Sequence, residues 1–230
     1  MLVIGKVSRA AVALAALAVV AGCSGGDTPD QRLITPVEMR GALLQASDVG
    51  PTWHAPDSTP SPDSLVSICG GSSTPPPRPP GGEVVSVSLV DDGDNGAQTL
   101  DQVAVVYTDA TQAHAGFAAL QALATGCPAD VSVPRTVNEE KSEPAYAERV
   151  STEPLKQNGW TGLAVLRHKA YEVAHPGTAD TAVAIVAKNN VLLVDAYAVY
   201  RLGKLPNASD DATFSGDWER LVGSVVNAVG

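Results

Sequence analysis

The stretch from Thr181 to Leu202, TAVAIVAKNNVLLVDAYAVYRL, decides the fold. Two runs rich in Val, Ile, Leu and Ala flank Asn189-Asn190. Two residues that tolerate positive φ between two apolar runs are what a tight hairpin turn needs. The spacing therefore predicts antiparallel strands over Thr181–Lys188 and Val191–Leu202. Successive strand residues alternate between faces. Leu192, Val194, Ala196, Ala198, Tyr200 and Leu202 form a nearly all-apolar face, expected under helices. Val191, Leu193, Asp195, Tyr197, Val199 and Arg201 form a second face that is half polar.

The same periodicity extends outward from this hairpin. Trp160 to Val173 and Pro144 to Thr152 read as strands, as do Glu83 to Val90 and Gln98 to Tyr107. Asp91 to Gly96, DDGDNG, suits a hairpin turn, with a weak cation site as the alternative; it lacks the spacing and terminal Glu of an EF-hand. Asp109 to Thr125 predicts a helix, with Asp109 as N-cap and an alanine-rich face. Ser215 to Val229 predicts another, with Ser215 as N-cap and Trp218, Leu221, Val222, Val225 and Val229 in one stripe. Thr35-Pro36 opens an earlier helical segment that Gly50-Pro51 stops, and a short helical turn fits Ser64–Cys69. Residues 72–82 hold five prolines and read as a stiff connecting loop. The expected class is α+β: an antiparallel sheet of about five to six strands, helices packed on one face, in a single domain over 33–230.

Across the 230 residues, 15 Lys and Arg oppose 25 Asp and Glu, a formal charge of -10. That balance excludes a nucleic-acid footprint. Apolar residues at 44% exclude disorder along the whole chain. Lys6 and Arg9 precede an apolar run from Ala10 to Ala21 that is short for a membrane span and has the form of a secretory leader. The run ends in Val20-Ala21-Gly22-Cys23, which resembles a bacterial lipobox. The resemblance implies a signal peptide over 1–22, diacylglyceryl attachment at Cys23, a flexible tether over 23–32 and a cell membrane location on the extracytoplasmic face. Losing Lys6 and Arg9 leaves 13 of the 15 basic residues against 25 acids, so the formal charge falls from -10 to -12. Cys69 and Cys127 then remain in an oxidising compartment and are expected to form one disulfide. Closing a loop of about 58 residues is worth roughly 4 kcal/mol in the chain-entropy model.

Asp195 stands out because a carboxylate inside a Val/Leu/Ala strand must face solvent, a cleft or a partner. One phase of Trp160–Val173 carries Arg167, Lys169 and Tyr171. If that phase shares the face of Asp195, then Arg167 or Lys169 pairs with it, and Arg167, Tyr171, Asp195, Tyr197 and Arg201 line a cleft for a small polar or anionic ligand. The alternative is an ordinary cross-strand ion pair on a solvated face. His168, next to Arg167, points the opposite way. His54 and His175 sit in Pro-flanked loops, and His114 lies beside its helix's apolar stripe. No HExxH, G-x-S-x-G, P-loop, G-x-G-x-x-G or CxxC is present, so no catalytic residue, metal or cofactor is expected. The carboxylate pairs Glu139-Glu140 and Asp210-Asp211 read as solvated charge.

ALLQASDVGPTW from Ala42 to Trp53, VYTDA from Val106 to Ala110 before an Ala-rich helix, a Cys after that helix, and Gly159-Trp160 opening a strand together resemble the PknH-like extracellular sensor domain family. The resemblance runs over about 33–230. It implies an antiparallel sheet with helices and a cleft for a ligand. The expected function is a lipid-anchored envelope protein with a non-enzymatic, ligand-binding or partner-binding sensor domain. A carrier or chaperone of an envelope lipid or glycan is the first alternative, and an envelope hydrolase the second.

Overall fold

The structure, a computed structural model, describes residues 32–58, 64–71, 74–93, 97–137, 142–172, 174, 177–203 and 208–229, with backbone alone at 142 and 208–212. Its elements are α1 (Pro36–Ala42), α2 (Ala46–Val49), β1 (Glu83–Asp91), β2 (Gln98–Val106), α3 (Ala110–Thr125), β3 (Asp130–Val133), β4 (Thr136–Val137), β5 (Ser142–Glu143), β6 (Tyr146–Gln157), β7 (Trp160–Tyr171), β8 (Gly177–Lys188), β9 (Val191–Leu202) and α4 (Ala208–Ala228). The hairpin at Asn189-Asn190 forms as expected, with Asn189 at φ 50°. It lies at the centre of an antiparallel sheet of seven strands in the order β1-β2-β9-β8-β7-β6-β3. The sheet therefore exceeds the expected five to six strands. β4 and β5 make a separate two-stranded ladder.

Helices pack on both faces of the sheet, which corrects the expectation of one covered face. α1 and α4 cover the face of Leu193 and Tyr197. There Met39, Leu221 and Val225 meet Leu100, Ala184 and Val186. α3 covers the face of Leu192 and Val194 with Ala113, Leu120 and Ala124, beside Leu65 and Ile68 from the connecting segment. The physical reason lies in β9 itself. Every position from Val191 to Ala198 is buried. A strand apolar in both phases reads as covered on both sides.

The helix ends follow their caps. Thr35 accepts from Glu38 N and the Glu38 side chain accepts from Thr35 N, closing a capping box before Pro36. The segment then divides at Leu43–Gln45, where Leu44 N donates to the Gln102 side chain instead of continuing the helix. Asp109 caps α3. α4 begins at Ala208, seven residues before the expected cap, so Ser215 lies inside the helix. The predicted stripe of Trp218, Leu221, Val222, Val225 and Val229 is nonetheless buried throughout. Ser64–Cys69 forms no helical turn.

Asn190 is 2% exposed and pins the hairpin to two other segments. It accepts from Ile34 N at 2.8 Å and donates to Ile34 O at 3.0 Å and Tyr107 O at 2.7 Å. Cys69 and Cys127 are joined as expected, fastening the connecting segment to the end of α3. The turn after Cys69 places Gly71 N 2.6 Å from Glu148 Oε2. Among the described residues, no helix is long and apolar enough to cross a membrane.

Candidate functional site

Strand register assembles a line of polar side chains that the linear sequence disperses. Directly paired residues of an antiparallel sheet share a face. Asp130 pairs with Arg149, Arg149 with His168, His168 with Asp180, Asp180 with Val199, and Val199 with Gln98. One row thus crosses six strands on the face that α4 covers. Nearer the Asn189-Asn190 hairpin this face is apolar under α4. At the row a cavity of about 660 Å³ opens, bordered by Arg149, His168 and Asp180 on the sheet and by Phe214, Ser215 and Trp218 on α4.

Asp180 is the centre of this site. It is 5% exposed, yet it carries a carboxylate. A buried charge persists only where partners replace its lost hydration. His168 Nδ1 donates to Asp180 Oδ1 at 2.6 Å, and Arg201 Nη1 donates to the other oxygen, Oδ2. Donation from Nδ1 leaves Nε2 as the free imidazole nitrogen. Arg149 is exposed, and its guanidinium has no side-chain partner among the described residues. The cavity therefore offers one unpaired cation, one oriented imidazole and a neutralised Asp–Arg pair. Such groups suit hydrogen bonding to a polar ligand.

The residues expected to share a cleft fall on opposite faces. Asp195, Tyr197 and Arg201 lie on the α4 face, whereas Arg167 and Tyr171 lie on the α3 face, because Arg167 pairs with Thr181 and Thr181 with Ala198. Asp195 faces no cleft. It is 3% exposed and accepts from Gln102 Nε2 at 2.5 Å. Burial raises its pKa to about 7, opposed by the Gln102 hydrogen bond and helped by the nearby Asp101 charge. Arg167 instead faces Glu148 at 3.9 Å, with burial drawing its pKa down and Glu148 opposing that. Lys169 sits 4.1 Å from the Tyr146 ring centre, and Tyr146 meets Tyr171 edge-on. Tyr197 is buried, donates to Gln98 Oε1 at 2.6 Å and stacks on Phe214. Burial pushes its phenol far above the usual range. Of the five, Arg201 alone bonds to Asp180, while Arg167 borders the same cavity.

His168, Asp180, Arg149 and Gln98 were not foreseen as site residues. The opposite phases of His168 and Arg167 are as expected, and that parity was the available signal for His168. Asp180 gave none, since the strand was expected to start at Thr181 and in fact starts at Gly177. His54 lies 3.7 Å from Asp92, and His114 is exposed on α3. Residues 1–31, which hold the leader, Cys23 and all of the tether but Arg32, together with residues 94–96, Glu139-Glu140, His175 and the side chains of Asp210-Asp211, lie outside the described residues. Among the described residues, no group of His, Cys, Asp or Glu is arranged to hold a metal ion.

Comparison with known proteins gives one family. A family model described as the PknH-like extracellular domain matches residues 24–213. Among solved structures, the chain is similar to the extracellular domain of PknH from Mycobacterium tuberculosis. The identity is 16% and the TM-score 0.49, over 86% of this chain and 98% of that one. None of the curated proteins matches.

Proposed function

Because the chain belongs to the PknH-like extracellular domain family, we propose that it is a lipid-anchored, non-enzymatic sensor that binds a polar ligand over His168 and Asp180. Family membership makes it an extracytoplasmic, sensor-type domain. The anchor rests on the lipobox at Val20–Cys23, whose diacylglyceryl group supplies two chains, enough for stable attachment. The ligand site rests on one observation: a buried carboxylate held between imidazole and guanidinium at the floor of an open cavity. Such a cluster adds little net stability compared with apolar packing, so its placement at an opening supports binding.

A His–Asp pair is also part of many hydrolytic sites. Here no hydroxyl is hydrogen bonded to His168 among the described residues, and Ser215, which borders the same cavity, donates to Glu219 at 3.1 Å. That arrangement favours binding over acyl transfer. One feature favours the carrier alternative. An apolar groove of about 420 Å³ runs between α3 and the Pro76–Pro80 segment, bordered by Ala115, Gly116, Ala119 and Leu123.

Native mass spectrometry of the protein extracted from its own envelope separates these readings. A polar molecule that co-purifies with the native chain and is lost from Arg149→Ala supports the Asp180 site. A lipid retained by Arg149→Ala and lost from Ala119→Trp, an exposed position in the groove, moves the function to the α3 groove. Cys23→Ser should shift the protein from the membrane to the soluble fraction, and its continued membrane attachment would rule out the lipid anchor.

A further inference from the structure

The polar row is longer than the cavity at Asp180. Neighbouring strands lie about 4.8 Å apart, so five steps from Asp130 to Gln98 span about 24 Å. A second cavity of about 210 Å³ lies at the far end, bordered by Gln98, Arg201, Thr213 and Asp217. Phe214 borders both cavities and is braced from below by its stack on Tyr197 at 5.6 Å. The two openings are therefore consecutive stations on one track beneath the start of α4.

We infer that this track binds an extended, polyhydroxylated ligand, a chain of linked sugars, lying across the strands and passing Phe214 to occupy both cavities. The inference rests on the reading of the Asp180 cavity as a ligand site. The row presents an acid, two bases, a second acid, the apolar Val199 beneath Phe214, and an amide. Carboxylates accept from hydroxyl groups and guanidinium donates to them, so mixed sign suits a ligand that carries both donors and acceptors. Among the described residues, Arg149 and Asp130 each lack a side-chain partner, and Arg201 and His168 are already engaged by Asp180. A polyanion finds one unpaired cation in this row and meets a chain of formal charge -10. An extended peptide gains affinity by adding to a sheet edge. This row lies mostly on the face of interior strands, whose backbone groups are already paired with neighbouring strands. An acyl chain would have to strip water from Arg149 and Asp130 without replacing it. Linked pyranose rings advance by about one strand spacing per ring, which matches side chains offered at that interval.

The test uses the full chain in a detergent without a sugar headgroup. The probes are two neutral series of one to six units, β-1,4-linked N-acetylglucosamine and α-1,4-linked glucose, with inorganic phosphate and citrate as anion probes. Binding is read by calorimetry and by the ring resonances of His168, assigned against His168→Gln. For at least one series, affinity should rise about tenfold between two and five units, the worth of one further good hydrogen-bonded station, and then level off. Gln98→Ala, at the second cavity, should abolish that gain, whereas Arg149→Ala, in the Asp180 cavity, should weaken binding at every length. Length-independent saccharide binding overturns the extended track. Binding of phosphate or citrate with both series silent overturns the ligand class and leaves the Asp180 site standing. If no probe moves the His168 ring signals, the track and the site fall together.

Discussion

Replacing Asp195 by Asn should stabilise the protein at pH 8 and leave it nearly unchanged at pH 4. The carboxyl is buried on the sheet face that α1 and α4 cover, with the Gln102 amide as its donor. Its pKa is about 7 in the fold against 3.8 in the open chain. Below pH 3.8 both states are protonated and burial carries no electrostatic cost. Between about pH 4 and 7 the unfolded chain releases the proton while the native state keeps it, so native stability falls as pH rises. Above pH 7 both states are ionised and the full cost is present. A gap of about three pH units corresponds to about 4 kcal/mol. Asn keeps the shape and still accepts from Gln102, without a charge to bury. Urea unfolding of both proteins at pH 4.5, 6, 7 and 8.5 measures the difference, in which other titrating groups cancel. The variant's advantage should grow by about 1.4 kcal/mol per unit across the window and then flatten. A difference that is constant from pH 4.5 to 8.5, or an Asn variant less stable at pH 8.5, would refute the buried-acid argument.

Three further perturbations probe other parts of the fold. Asn190→Ala removes three hydrogen bonds from buried backbone groups of Ile34 and Tyr107 and should cost about 3 kcal/mol in chemical denaturation, with early exchange of the Ile34 amide. Gly162→Ala places a β-carbon 2.0 Å from Ile185 O and 2.8 Å from Val186 Cα, so β7 and β8 must separate; a loss on the order of 4 kcal/mol, or failure to accumulate folded protein, is expected. Non-reducing peptide mapping should recover Cys69 joined to Cys127, and replacing both by Ser should cost about 4 kcal/mol, given a separation of 58 residues.

Much of the fold was legible because its signals are local. Asn189-Asn190, the Thr35-Pro36 cap and the α4 stripe each declare themselves within a few residues, and six principal strands follow from periodicity. β3 escaped because four residues, Asp130–Val133, carry too short an alternation to separate from loop. The placement of helices depended on judging one face of β9 as half polar. Asp195 and Tyr197 looked like surface groups in that phase, yet Gln102 and Gln98, from a strand some ninety residues away, satisfy them in the interior. Sequence alone cannot see that cross-strand partner, so it turned a buried pair into a supposed cleft.

Asp195 and Asp180 make the same point from opposite directions. They lie on the same face of adjacent strands, and both are almost wholly buried. Asp195 attracted notice because Val194 and Ala196 flank it, whereas Asp180 lay between Ala179 and Thr181 in what looked like the approach to a strand. Their surroundings decide their roles. Asp195 has an amide for a partner and helices overhead, so it behaves as a proton-holding acid within the core. Asp180 has a guanidinium and an imidazole for partners and an opening overhead, so it borders a cavity with both oxygens already hydrogen bonded. A carboxylate in an apolar strand is thus a site only where register brings it cations and the covering helix leaves it room. Among the described residues, both conditions hold where the row from Arg149 to Asp180 passes beneath α4.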